Sequence, residues 1–145
     1  MRLTRFTDNA LRCLMYLGTT GDRVVTVGEV ASRMAMSEDH LLKVVRRLVE
    51  LGHVVTVRGR RGGVRLATEP ARITVGDVVR ATEDNLALVP CFTPGDDSCP
   101  LTGNCALADC LDQALGAFFA SLQRQTIADL IARHPRPIVP ARHRT

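Results

Sequence analysis

Apolar residues recur every three or four positions along much of this 145-residue chain, which is the spacing of one face of an α-helix. The first such stretch predicts a helix with Thr7 as its N-cap and Gly18 as its end. The apolar stripe of this helix consists of Ala10, Leu11, Leu14, Met15 and Leu17. A capping box of Thr26 and Glu29 then predicts a short helix that ends at about Met34.

The following stretch predicts a third helix, capped by Ser37 and ended by Gly52. Its predicted buried stripe consists of Leu41, Leu42, Val45, Leu48 and Val49. The polar side chains that fall largely away from this stripe are His40, Lys43, Arg46 and Arg47. Two short helices joined by a tight turn, with cationic side chains on the second, are typical of a helix-turn-helix. We therefore expect Ser37 and these four side chains to contact DNA.

Two short β-prone runs, residues 54–57 and 64–67, flank the segment RGRRGG at residues 58–63. Since glycine permits positive φ angles, this pattern predicts a β-hairpin. Arginines on such a loop can reach phosphates or enter a minor groove, and without a partner they repel one another. A plain structural hairpin is the alternative. We predict a DNA-binding wing whose contacts are Arg58, Arg60 and Arg61.

A short helix is predicted from Thr74 to about Thr82, and a last one begins at Thr126. Between them a long helix of about 20 residues starts at Cys105. Its apolar stripe consists of Leu107, Leu111, Ala114, Leu115, Phe118 and Leu122. We interpret it as a dimerisation helix, because a dimeric DNA reader matches two half-sites by its two-fold symmetry. The alternative is a helix folded back on its own domain.

Charge is distributed unevenly along the chain. Residues 38–65 contain seven Lys or Arg against three Asp or Glu, whereas residues 83–112 contain six Asp or Glu and no Lys or Arg. The basic stretch indicates a phosphate-binding surface, with a solvated charged face as the alternative. The chain contains no uninterrupted apolar run of about 18 residues that would predict a membrane span, and Arg2, Arg5 and Asp8 stand where a secretion signal would be apolar. We therefore expect a cytosolic protein without a membrane partner.

Three cysteines, Cys91, Cys99 and Cys105, are separated by seven and five residues in a loop rich in Pro, Gly and Asp. Thiolates are soft ligands for zinc or an iron–sulfur cluster, and both sites need a fourth donor. Zinc sites usually use close CxxC pairs, which this chain lacks. The wider spacing favours an iron–sulfur cluster, and free cysteines in a loop are the alternative.

The residues alone leave the fourth donor open. Cys110 lies at helical spacing from Leu107, so its simplest interpretation is a buried apolar residue, and the same holds for Cys13 in the first helix. Asp8 is expected to complement the helix dipole and to pair with Arg12. The histidines that could donate nitrogen are His40, His53, His134 and His143.

Several strings of this sequence carry a family resemblance: MRLTRFTDNALRCLMYL, VRGRRGGVRLA, ITVGDVVRATE, and the three cysteines with CPLTGNC. Over residues 1–132 the chain resembles the Rrf-type winged-helix regulators, and within them their nitric-oxide-sensing branch. The resemblance implies a homodimeric transcriptional repressor that binds a double-stranded DNA operator. It also implies a [4Fe-4S] cluster whose nitrosylation releases the DNA. The cluster ligands would be Cys91, Cys99, Cys105 and Asp8 of the partner subunit.

Two other functions are weighed beside this one. Related regulators carry [2Fe-2S] clusters, so a redox or iron–sulfur-status sensor with that cluster is one alternative. An iron–sulfur protein that does not bind DNA is the other. An enzyme is not expected, because no nucleophile with a His/Asp set and no phosphate-binding glycine loop can be identified.

The predicted fold is mainly α-helical with a small β-hairpin, a winged helix-turn-helix domain followed by a long dimerisation helix. Residues 1–82 would form the DNA-binding domain and residues 83–104 the cluster-binding loop. Residues 105–132 would form the dimerisation helix region, and residues 133–145 a disordered tail.

Overall fold

The computed structural model describes residues 2–134. These residues form a mainly α-helical fold with one antiparallel hairpin, as predicted. The elements are α1 Arg5–Thr19, α2 Val27–Met34, α3 Glu38–Glu50, β1 Val54–Val57, β2 Gly63–Leu66, α4 Val75–Thr82, α5 Ala106–Gln123 and α6 Ile127–Arg133. Single 3-10 turns lie at Pro70–Arg72 and Pro90–Phe92. The predicted disordered tail, apart from its first two residues, lies outside the described residues.

Helix α1 starts one turn earlier than predicted. Its N-cap is Thr4, whose side chain accepts a hydrogen bond from the amide of Thr7. Thr7 is instead fully buried, and its hydroxyl lies 2.9 Å from that of Thr82 at the end of α4. The helix ends at Thr19, one residue after the predicted stop at Gly18. A Cβ at Gly18 would collide with Ile131 of α6, so this glycine permits close helix packing.

The capping box predicted at α2 forms only in part. The Thr26 side chain accepts the amide of Glu29 at 3.0 Å, but the Glu29 carboxylate binds Arg23 and the Tyr16 hydroxyl. A complete capping box begins α6 instead, between Thr126 and its third helical residue. Because the Glu29 carboxylate binds these two side chains, it does not bind the backbone amide at the start of its own helix.

The main core is built around α1, which packs against α2, α3, α4 and α6. The α1 residues Ala10, Leu14 and Leu17 are inaccessible to solvent. On α3 the buried side chains are Leu41, Val44, Val45 and Leu48. The predicted α3 stripe is therefore wrong at Leu42, which is 50% exposed, and at Val49, which is also exposed. The buried face of α3 therefore contains Val44 and leaves out Leu42 and Val49.

The hairpin is joined by a third segment. Strands β1 and β2 pair in antiparallel register, with Val54 opposite Leu66, and Val25 forms a two-hydrogen-bond bridge with Val64 at 3.0 and 2.7 Å. This bridge ties the hairpin to the chain that enters α2. Gly63 lies under it, where a Cβ would collide with the Val25 carbonyl.

A second, smaller core joins α4 to α5. It contains Val75, Val79 and Phe119, and Phe119 is the buried residue of α5. The Arg80 guanidinium lies 3.8 Å from the centre of the Phe119 ring, a cation–π contact. At the other end of α5, Leu107 is 64% exposed. The second half of the long helix thus packs on its own chain, while its first half remains open.

Helix α6 returns to the main core, where Ile127 is fully buried. Among residues 2–134, every helix falls short of the length and apolar character that crossing a membrane requires.

We expect Gly63→Ala to lower the free energy of unfolding by about 1–3 kcal/mol, because the added methyl group must displace backbone at the Val25–Val64 bridge. Chemical denaturation measures this. The matched control is Gly28→Ala, since a Cβ at Gly28 meets its nearest atom, a Glu38 carboxylate oxygen, at an ordinary 3.5 Å. Equal stabilities of the two variants would contradict the close approach at Gly63.

Candidate metal centre and DNA interface

The three spaced cysteines converge on one cavity. Cys91 lies in a 3-10 turn, Cys99 in the following loop, and Cys105 at the N-cap position of α5. The space they share, which we call the cysteine cavity, has a volume of about 300 Å³. Thr102 donates to the Cys99 carbonyl from its amide at 3.1 Å and from its hydroxyl at 2.7 Å, which closes the loop between the second and third cysteines.

The donor types of the cavity fit an iron–sulfur cluster. Within residues 2–134, no three side chains among His, Cys, Asp and Glu lie close enough together to bind one metal ion. Three thiols spread around one cavity fit the thiolate ligation of a cluster with several metal atoms. Cys105 supplies no capping hydrogen bond to α5, which leaves its sulfur for such a role.

One carboxylate on the cavity was missed by the sequence analysis. Asp109 lines it together with the cysteines. It lies one helical turn after Cys105, and this four-residue spacing is the signal that could have found it. The chain thus offers one carboxylate of its own at the cavity.

Asp8 lies elsewhere in the chain. Its side chain is 58% exposed and pairs with Arg12 at 3.3 Å, as predicted. Arg12 also donates to the Met34 carbonyl at 2.6 Å, at the turn of the helix-turn-helix. Asp8 is absent from the residues that line the cysteine cavity of its own chain. The structure therefore does not join Asp8 to the three cysteines of its own chain.

The predicted DNA-contact residues of α3 fall into two groups. Ser37, Lys43 and Arg46 are exposed, and among the described residues none of their side chains has a hydrogen-bond or ion-pair partner. Ser37 occupies the N-cap position without capping the helix, so its hydroxyl is available to an anion there. These three side chains form an accessible, net cationic face.

The other two predicted DNA contacts of α3, His40 and Arg47, pack against or bind other residues of the chain. His40 is half-buried beside Phe6, with ring centres 6.3 Å apart, and its Nε2 atom is buried without a partner in the described part of the chain. The Arg47 guanidinium donates to the Ala81 carbonyl from Nε at 3.3 Å and from Nη2 at 3.1 Å. Both side chains are positioned by protein contacts.

The wing presents its arginines to solvent. Arg58, Arg60 and Arg61 are exposed, and they make no ion pair with another described residue. The turn between them needs glycine, since Gly59 has a φ of +112° and a Cβ at Gly62 would collide with the Val57 carbonyl. The hairpin therefore holds three free cations at one tip.

Comparison with known proteins identifies the family to which this chain belongs. The family model Rrf2, described as an iron-dependent transcriptional regulator, matches residues 3–133. The chain belongs to the Rrf2 family. The HTH-type transcriptional regulator NsrR of Geobacillus kaustophilus is 46% identical over 132 residues, which cover 90% of each chain. The HTH-type transcriptional repressor NsrR of Streptomyces coelicolor is 41% identical, over 96% of this chain and 94% of that protein.

The fold agrees with this assignment. The structure of CymR, the global cysteine regulator of Bacillus subtilis, superposes with a TM-score of 0.75 at 25% identity, covering 92% of this chain and 98% of that one. The predicted resemblance to Rrf-type winged-helix regulators is thereby confirmed. The chain is a transcriptional regulator of the Rrf2 family.

The remaining two cysteines of this Rrf2 protein stand apart from the cavity. Cys13 is completely buried in α1, as expected, and burial raises the pKa of its thiol to about 12. Cys110 was expected to be buried as well, which is wrong, since it is exposed. It lies on the side of α5 that its own chain leaves uncovered, so helical spacing from Leu107 did not imply burial. Neither residue lines the cavity.

We expect a water-soluble maleimide to leave Cys13 of the native, metal-free protein unlabelled and to react with it only on unfolding. The thiolate is the reactive form, and a pKa of about 12 keeps Cys13 protonated across pH 7–9. Peptide mass spectrometry after labelling at pH 7 and pH 9 provides the measurement, with denatured protein as the control. Labelling of native Cys13 at pH 9 would contradict its burial.

Proposed function

We propose that this Rrf2 regulator is a DNA-binding transcriptional repressor that senses nitric oxide through a [4Fe-4S] cluster. The observation that carries the proposal is the convergence of Cys91, Cys99 and Cys105 on one cavity. Its family is described as iron-dependent, and two of its relatives bear the name NsrR. A [2Fe-2S] cluster that reports redox or iron–sulfur status is the second candidate, because the cavity chemistry fits both clusters; iron and sulfide counts per chain separate them.

Three cysteines and one aspartate would hold the cluster. Cys91, Cys99 and Cys105 supply soft thiolates from one chain, and Asp8 of the partner subunit supplies a hard carboxylate. That oxygen is the weakest member of the ligand set. When bound, the cluster supplies iron that a small ligand such as nitric oxide can reach at this weakly held position. In the cluster-free chain Asp8 pairs with Arg12, so the carboxylate has a partner in either state.

A homodimer follows from this assignment, since Asp8 does not line its own cavity. The exposed first half of α5, with Leu107 at its start, provides apolar surface for a second copy. We retain the division into a DNA-binding domain at residues 1–82, a cluster loop at 83–104 and a dimerisation region at 105–132. Two copies would present two α3 helices to successive major grooves one DNA turn apart.

For DNA contact we favour the exposed cationic residues over the engaged ones. On α3 these are Lys43 and Arg46, together with the hydroxyl of Ser37. On the wing they are Arg58, Arg60 and Arg61. These cations have no partner in the described part of the chain, so they break no protein contact when they bind phosphate. Their attraction to DNA is therefore not reduced by the loss of such a contact.

The partner's contribution is tested by mixing subunits. We expect homodimers of Cys99→Ala to lack a cluster, and homodimers of Asp8→Ala to hold one with altered nitric-oxide reactivity. A heterodimer of the two variants keeps one complete site, because the Asp8→Ala chain supplies the cysteines and its partner supplies Asp8. That site should react as in the wild type, at half the amount per dimer. Anaerobic visible absorption before and after nitric oxide measures both.

Cys110→Ala is the matched control and should load its cluster normally, since Cys110 does not line the cavity. Wild-type reactivity of the Asp8→Ala homodimer would transfer the fourth position to another donor. Asp109, which lines the cavity of the same chain, would then be the first to substitute.

For the wing, we expect Arg60→Ala to weaken operator binding and to reduce the slope of log affinity against log salt by about 1, as one phosphate contact is lost. Fluorescence anisotropy over a salt series gives both quantities. The control is Arg72→Ala, an exposed arginine of the 3-10 turn Pro70–Arg72 rather than of the wing. Unchanged affinity and slope for Arg60→Ala would refute the wing contact.

A further inference from the structure

The end of helix α4 is tied to the proposed recognition helix α3 by one side chain. The last carbonyls of a helix have no partner within it. One of these, on Ala81, accepts hydrogen bonds from two nitrogens of Arg47, Nε at 3.3 Å and Nη2 at 3.1 Å. The third nitrogen, Nη1, pairs with Glu50 at 3.2 Å. Each of the three nitrogens of this guanidinium therefore has a protein acceptor.

The same helix end is also tied to the start of α1. The buried hydroxyls of Thr82 and Thr7 lie 2.9 Å apart. The next residue, Glu83, accepts hydrogen bonds through Oε1 from the Thr4 amide at 2.7 Å and the Thr4 hydroxyl at 3.0 Å. Three consecutive residues, which we call the α4 terminus (Ala81, Thr82 and Glu83), thus contact both α3 and α1.

The position of the α4 terminus in the chain gives these contacts a consequence. The segment that carries the cavity cysteines begins at Glu83 and reaches Cys91 through a 3-10 turn. The α4 terminus is therefore the last part of the packed helical domain before the cysteine segment. From there, Arg47 is the side chain that connects the terminus to α3 by hydrogen bonds.

We propose that Arg47 is a positioning residue that sets the orientation of α3 according to the state of the cysteine segment. This inference rests on the proposed function. It assigns the coupling between the cysteine segment and α3 to a residue that the sequence pattern predicts as a DNA contact. The side chain of Arg47 is 43% exposed, so its hydrogen bonds are partly screened and add modestly to stability. Their main effect is geometric.

The choice of arginine fits this role. Its planar guanidinium places two donors on one carbonyl in a fixed direction, whereas a lysine ammonium is a point charge on a flexible stem. A cation at a helix C-terminus is also favoured by the helix dipole. Arg47→Lys therefore preserves the charge and removes the directional contact, which separates positioning from phosphate binding.

The experiment measures operator affinity of cluster-loaded and cluster-free protein for the wild type, Arg47→Lys, Arg47→Ala and Arg46→Ala. The wild-type ratio of the two affinities is expected within the range of about 5- to 150-fold that is usual for coupled sites. Both Arg47 variants should reduce the ratio to within about twofold of unity, as expected when the coupling is lost. Arg46→Ala should weaken both forms alike and keep the ratio.

A salt series on the loaded protein adds a second readout. Arg46→Ala should lower the salt slope by about 0.9, the value for one released counterion, and Arg47→Lys should leave it unchanged. A cooperative thermal unfolding transition confirms that each variant is folded. If Arg47→Ala does not fold, Arg47→Lys alone carries the test.

Each contrary result has a separate meaning. A wild-type ratio for Arg47→Lys, or a reduced salt slope with an unchanged ratio for Arg47→Ala, would overturn the positioning role. A ratio of unity for the wild type itself would overturn the proposed function, and this inference with it.

Discussion

The burial of one face of α1 is the interaction on which the rest of the structure depends. Leu14 and Leu17 are inaccessible to solvent, and each such leucine contributes roughly 1.5–3 kcal/mol relative to an exposed one. Because the same helix packs against α2, α3, α4 and α6, its burial holds the helix-turn-helix and α4 in one core. The hydrogen bonds between α1 and the α4 terminus then align two elements that the core already holds together.

The cysteine segment depends on different physics. Its three cavity cysteines are only half-buried, and the loop between them is held by local hydrogen bonds such as those of Thr102 to Cys99. Segments with few buried apolar contacts sit at the low end of local stability. A bound metal group that adds strong ligand bonds can therefore order this region at small cost to the core. The α4 terminus lies where the firmly packed part ends and this less buried segment begins.

Local chemistry in the sequence predicted most helix positions well. Thr74 and Thr126 were identified as helix starts because a threonine oxygen can accept an amide three residues later, and both do so. Thr7 was wrongly preferred to Thr4, since either oxygen satisfies the same local rule. The two threonines differ because the Thr7 hydroxyl binds that of Thr82, which is distant in the sequence. A rule based on neighbouring residues does not include such a partner. Leu42 and Val44 present the same problem on α3, where the packing of α1 decided which side is buried.

The sequence by itself determined the fold class, the wing, the separation of basic and acidic regions and the cysteines to consider, because periodicity, glycine content and charge are properties of neighbouring residues. Only the tertiary structure decided which of these residues share a space. It brought Asp109 to the cysteine cavity and kept Cys110 and Asp8 away from it. It also engaged Arg47 with the Ala81 carbonyl, 34 residues further along the chain. Contacts over such separations arise from the packing of helices, and no local pattern records them.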